Sequence, residues 1–322
     1  MTRLGRRSFL TIGTLGALAA CSSPDTPKRW HDGRLFIATG NTTGVFYQLG
    51  GGLADVIERH LPGYSARAEP TGASGENIQR VTSGDMDVAF TLADSAADAF
   101  RGQNAFKDKP QQIRALSRVY RNYTHVVART GLGIKSLKDL AGKKVSTSSP
   151  NSGTDVLAGR LLKAAGVDPD TGMTRQRLSL PETTKGMKAG TTDAMFFSGG
   201  LPTPGITDLL TGPDKAKFEL VKSDEVLEPL RQQYGSAYSV GQIEKGVYDQ
   251  LTPVASICVS ILLVVDQSMP ENLAYDLTKI LYERQQELIE VHPEAGNYDR
   301  TSGPDTDPVP LHPGAARYLG KA

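Results

Sequence analysis

The sequence predicts an α/β protein of two similar lobes, each a mostly parallel sheet flanked by helices, with hinge crossings between them. Three observations carry this. A short apolar run over residues 35–38 leads through Thr39-Gly40-Asn41-Thr42-Thr43-Gly44 into a stretch with apolar residues at Val45, Leu49, Leu53, Val56, Ile57 and Leu61. That order reads as strand, polar loop and amphipathic helix. The order returns with a strand over residues 144–147, the loop Ser148-Ser149-Pro150-Asn151-Ser152-Gly153-Thr154 and a helix over 154–165. Finally, residues 256–265 form an almost unbroken apolar run rich in branched side chains. A central strand this late implies that the chain returns to the first lobe.

The start of the chain is expected to lie outside the fold. Arg3, Arg6 and Arg7 precede an apolar stretch over residues 9–20, the n-region and h-region of an export signal. Leu18-Ala19-Ala20-Cys21 is a lipoprotein pattern in which Cys21 is cleaved and lipidated, and Arg6-Arg7-Ser8-Phe9-Leu10 resembles a twin-arginine signal. The run falls short of the ~20 apolar residues that span a bilayer. Residues 1–20 therefore read as a signal peptide and 21–33, with Pro24 and Pro27, as a tether.

The remaining elements follow in order. A strand is expected over residues 64–69, then the loop Thr71-Gly72-Ala73-Ser74-Gly75-Glu76-Asn77 and a helix over 77–83. A Gly84-Asp85 turn enters a buried strand ending near Leu92, followed by a helix over 95–101 and two strands over 113–120 and 123–129. The turn-and-strand signature of residues 83–90 is echoed at 189–196, which runs into Phe197-Ser198-Gly199-Gly200. Further on, a strand is expected over 217–221, a helix over 226–234, one long helix over 271–292 opened by Pro270, and a short helix in the tail. Gly50-Gly51-Gly52, inside the first helix, reads as a site where another backbone packs closely.

Composition narrows the function. Without the three leader arginines, 33 basic side chains face 35 acidic ones, so no basic stripe exists to attract nucleic acid. With Cys21 lipidated, Cys258 has no intrachain partner and reads as a small buried hydrophobe. No catalytic constellation stands out. Ser74 lacks the second glycine of a nucleophile elbow. The five histidines show no zinc spacing, and there is no phosphate-loop motif. Asp85/Asp87 and Asp94/Asp98 read as turn and surface acids, and His312 as a structural histidine. Binding remains. A helix start presents unpaired N–H groups and the positive end of the helix dipole, which favours a carboxylate or phosphate.

In order along the chain, the first loop with Tyr47, Thr71-Gly72-Ala73-Ser74-Gly75-Glu76-Asn77, Ser83-Gly84-Asp85-Met86-Asp87-Val88-Ala89, Asp139-Leu140-Ala141-Gly142-Lys143-Lys144-Val145, Ser152-Gly153-Thr154, Asp193-Ala194-Met195-Phe196 and Pro310-Leu311-His312-Pro313-Gly314-Ala315-Ala316-Arg317-Tyr318 resemble the TAXI family of extracytoplasmic solute receptors, which serve TRAP transporters. The resemblance implies a type II periplasmic-binding-protein fold, with residues 34–125 and 256–322 as lobe I and 126–255 as lobe II. It implies a receptor outside the cytoplasm; the lipid on Cys21, read from the leader, departs from the many relatives that are soluble in the periplasm and tethers this one, expected as a monomer, to the outer face of the cell membrane. Such a receptor captures a small organic anion (glutamate-like, 2-oxo or dicarboxylic) and hands it to a TRAP permease, without catalysis or cofactor.

Carried onto this chain, the ligand site falls on Thr43, Gly44 and Tyr47; Ser74 and Asn77; Ser152, Gly153 and Thr154; and Phe197, Ser198 and Gly199. Removing Tyr47 or Ser152 is then expected to weaken binding by about 1–3 kcal/mol. One departure is plain: where the family often writes G-x-x-G-S-G, this chain has Ser148-Ser149-Pro150-Asn151-Ser152-Gly153, and Pro150 removes a backbone N–H. The rival reading is a ligand-sensing lipoprotein acting on a membrane sensor kinase; a neighbouring permease gene argues for transport, a neighbouring kinase gene for sensing.

Overall fold

The computed structural model describes residues 29–321; the expected signal peptide, Cys21 and most of the tether lie outside the described residues. The first half builds β1 (Arg34–Ala38), α1 (Val45–His60), β2 (Ser65–Glu69), α2 (Ser74–Thr82), β3 (Val88–Leu92), α3 (Ala93–Arg101) and β4 (Ile113–Arg129). Next come β5 (Lys144–Ser146), α4 (Gly153–Ala164), β6 (Thr174–Gln176), α5 (Leu180–Ala189), β7 (Ala194–Gly199), α6 (Pro204–Leu210), β8 (Phe218–Val221), α7 (Leu227–Tyr234) and β9 (Tyr238–Ile243). The chain then returns along β10 (Val254–Asp266) to α8 (Glu271–Glu283), α9 (Gln285–Val291) and α10 (Pro313–Leu319).

The strands order as β2-β1-β3-β10-β4-β7-β5-β6, with β8 on β4 and β9 on β10. Two parallel cores stand at the ends, β1 with β2 and β3, and β5 with β6 and β7. β3 and β7 are buried along their whole length, as strands covered on both faces must be. Between the cores run two long antiparallel strands. Residues 261–265 of β10 pair with β3, while 254–259 pair with β9. β4 pairs with β10 from Ile113 to Tyr123 and with β7 from Tyr123 to Ala128. The two long strands thus exchange pairing partners around Asn122 and Cys258.

Several expectations change. Residues 113–129 form one 17-residue strand instead of two, because the intervening polar pair alternates: Arg121 is exposed and Asn122 is buried with a partner. The long helix over 271–292 breaks at Arg284 (φ −114°, ψ 20°), where Gln285 instead donates to the carbonyls of Ala295 and Tyr298. α2 starts at Ser74, three residues early. The triple glycine meets side chains rather than a backbone: a Cβ on Gly50 would lie 2.3 Å from Thr39 Cγ2, and one on Gly52 2.8 Å from Val291 Cγ2. Asp87 is no surface acid. It is buried, accepting from Trp30 Nε1 and from the Phe36 N–H, each at 2.7 Å. His312 caps α10, its Nδ1 accepting from the Gly314 N–H at 3.3 Å.

Candidate functional site

The C-terminal ends of the parallel strands put their loops face to face. From one lobe come Gly40, Asn41, Gly44 and Phe46 around the start of α1, and Ala73 and Ser74 at the start of α2. From the other come Ser148, Ser152, Gly153 and Thr154 at the start of α4, and Phe197, Ser198 and Gly199 at the end of β7. Asn122 of the hinge strand and Leu92 also line the space. Water centres can occupy about 30 Å³ of it, room for two or three waters at ~10–15 Å³ each. No lining residue is acidic, basic or a histidine. Positive potential comes instead from three helix N-termini, two in one lobe and one in the other.

The hydroxyls reinforce this bias toward anions. Ser74 Oγ accepts from the Leu92 N–H (3.1 Å), and Thr154 Oγ1 from the Ser198 N–H (3.1 Å). Ser152 Oγ caps α4 by accepting from the Asp155 N–H (3.0 Å), and Ser198 Oγ accepts from Asn122 Nδ2 (3.1 Å). Each oxygen is thus engaged as an acceptor, and each O–H proton is left to donate. A ligand rich in acceptors suits such a site. Asn122 Oδ1 is buried without a partner and offers an acceptor to a ligand hydroxyl or ammonium.

Of the residues expected from the sequence, Gly44, Ser74, Ser152, Gly153, Thr154, Phe197, Ser198 and Gly199 line the cleft. Thr43 sits just behind; its Oγ1 is buried and unpartnered, and its carbonyl accepts from the Gly205 N–H. Two stand apart. Asn77 spends its amide beneath the loop, donating to the carbonyls of Thr39 (2.7 Å) and Phe90 (2.8 Å) and accepting from Thr71 (2.5 Å). Tyr47 is half-buried outside the lining, and Phe46, stacked on Phe90 with ring centroids 5.4 Å apart, takes the place foreseen for it.

Left-handed backbone marks the facing loops. Ala73 has φ 72°, Ser148 φ 75° and Asn151 φ 59°, conformations that cost a non-glycine residue about 1–3 kcal/mol. Positions 148 and 151 are those where the resemblance expects glycine. A serine and an asparagine thus hold positive φ at the two positions where glycine would take it without strain.

The lobes touch directly. Asn41 Oδ1 accepts from the Leu180 N–H at 2.7 Å, satisfying the start of α5 from the opposite lobe. A Cβ on Gly153 would lie 2.5 Å from both Leu92 Cδ1 and Ser74 Oγ. Below the cleft, Arg160 of α4 reaches α3: its Nη1 donates to Asp94 Oδ2 (3.0 Å) and to the Tyr238 hydroxyl (2.7 Å), and its Nη2 to Asp98 Oδ2. Tyr238 donates in turn to Asp94 (3.0 Å), and Tyr234 lies under the guanidinium at 4.8 Å. Asp94 and Asp98, read from the sequence as surface acids, form this buried latch; the Arg160 and Asp94 side chains are 7% and 2% exposed. Burial holds the Asp98 carboxyl above its ordinary range even beside the arginine.

Two lobes joined by two long strands, facing each other across a closed cleft, make the fold that of the periplasmic binding proteins. The chain is similar to the binding-protein component of an ABC phosphonate transporter from Pseudomonas aeruginosa (TM-score 0.54, 14% identity, 83% of this chain and 80% of that one). It is similar also to the periplasmic aliphatic sulphonate binding protein SsuA from Escherichia coli (TM-score 0.50, 15% identity, 89% and 83%). Residues 37–320 match the NMT1-like family, and the chain belongs to it.

Proposed function

We propose that this protein is an exported, lipid-anchored solute receptor that closes on a small organic anion and delivers it to a TRAP-type secondary transporter. The observation that carries the reading is the cleft itself. Helix starts from both lobes and four donating hydroxyls meet around a space free of charged side chains, which leaves a carboxylate or similar oxyanion as the fitting guest. The sequence resemblance supplies the TRAP partner, and the leader sequence supplies the export and the lipid on Cys21. We place the lobe divisions near residues 122 and 258, where β4 and β10 exchange partners.

Closed as tightly as it is, the cleft takes a group about the size of one carboxylate, so a longer anion holds the lobes slightly further apart. The open form exposes the loops, and contacts available only on closure shift the population toward the form the permease engages. The test is a melting-temperature screen of monocarboxylates, dicarboxylates and amino acids, followed by uptake of the best binder in proteoliposomes carrying the TRAP permease. Binding without permease-dependent uptake would refute the transport role; no stabilising anion would refute the receptor.

A further inference from the structure

A second cavity, of about 550 Å³, straddles the hinge away from the cleft. Asn122 of β4 lines the cleft while its neighbours Arg121 and Tyr123 line this groove, as the alternation of a strand requires. One lobe contributes Arg118 and Arg121; the other contributes Arg231 of α7 and Ser236 and Ser239 beside and within β9.

These groups are under-committed. Among the described residues the Arg121 side chain makes no ion pair or hydrogen bond, and the nearest carboxylates to Arg118 and Arg231 stand at 3.9 and 4.0 Å. Among the described residues the hydroxyls of Ser236 and Ser239 make no hydrogen bond, and the Tyr120 hydroxyl is buried in the wall without a partner. Glu294 is the groove's single acid, and it is occupied by the Leu201 N–H (2.6 Å) and Asn297 Nδ2 (2.7 Å). Arg121 has no carboxylate partner among the described residues, and Arg118 and Arg231 hold Asp305 and Glu228 only at the outer limit of an ion pair, so three guanidinium forks can turn to an oxyanion.

The groove also touches the latch. Tyr238 lines it, receives Arg231 Nε on its carbonyl (2.9 Å) and holds Asp94 through its hydroxyl.

We propose that the hinge groove is a regulatory site for a multivalent oxyanion, a di- or triphosphate or a polycarboxylate, that bridges the two lobes and favours closure. The probe is pyrophosphate, titrated by calorimetry into the wild type, an Arg121→Gln/Arg231→Gln variant and the cleft variant Gly153→Ala. Both arginines are exposed, so the double variant keeps its fold, which its melting curve checks. The expected result is saturable binding to the wild type, retained in Gly153→Ala at an affinity lowered only by its hindered closure, and weakened at least about tenfold in the double variant. Spin labels at positions 58 and 163, one per lobe, should report a narrower interlobe distance on binding. Absence of saturable binding to the wild type, equal affinity in the double variant, or an unmoved label distance would each overturn the proposal.

Discussion

Replacing Arg160 by glutamine should release the closed form. The substitution leaves Asp94 and Asp98, with side chains 2% and 13% exposed, facing each other without a cation. Removing one member of a buried ion pair costs about 3–5 kcal/mol, because the remaining charge stays desolvated. Here the molecule has an escape: opening the lobes hydrates both carboxylates. The cost therefore falls on the closure equilibrium, with little on the folding of either lobe. A loss of about 3 kcal/mol at that equilibrium reduces ligand affinity by about 100-fold when closure is what binding selects.

The assay pairs calorimetry with electron-spin distances between labels at Glu58 and Lys163, both exposed, while Cys258 is buried and escapes labelling. Adding Asp94→Asn and Asp98→Asn to Arg160→Gln should restore part of the short distance. An Arg160→Gln protein with the wild-type distance and wild-type affinity would refute the reasoning.

Three further outcomes follow from the same geometry. Gly153→Ala should lower ligand affinity at least about tenfold with little change in the ligand-free melting temperature, since its Cβ would lie 2.5 Å from Leu92 and Ser74 across the cleft; Tyr47→Ala, outside the lining, should change affinity by less than about twofold, and calorimetry checks both. Ala73→Gly should stabilise the fold by about 1 kcal/mol in urea unfolding, because glycine accepts φ 72° without strain. Burial pushes the His125 imidazole down to about 4, with its Nδ1–H donating to the Phe197 carbonyl and its Nε2 accepting from Tyr248. Below pH 6.5 the unfolded chain gains a proton that the folded one refuses, so stability should fall by up to about 3 kcal/mol between pH 6.5 and 4, and His125→Asn should flatten that slope in urea midpoints.

The architecture was legible where local chemistry repeats. Strand, polar loop and helix appear twice with glycines and hydroxyls at matching places, and these are the loops that face each other across the cleft. What stayed hidden depends on long-range partners. Asp94 and Asp98 look like helix-surface acids until α4 brings Arg160 against them, 62 residues or more along the chain. Asn122 sits between an arginine and a tyrosine in a run that alternation alone could not carry through as one strand, yet Ser198 supplies its partner. Asn77 has the same polarity as a ligand-binding amide, and only the carbonyls of Thr39 and Phe90 reveal a brace. Phe46 and Tyr47 are adjacent aromatic residues on one helix, and helix rotation decides which of them reaches the cleft. An interior polar residue in an apolar strand was the one available signal for Asn122.

The central claim, that helix starts and hydroxyl donors select negative charge, is tested most directly by calorimetry on matched pairs, each short carboxylate against its own neutral amide. The account predicts that the carboxylate binds at least about tenfold more tightly than the amide of the same shape, and that Gly153→Ala erases the difference. Equal affinity for acid and amide, or preference for the amide, would contradict it.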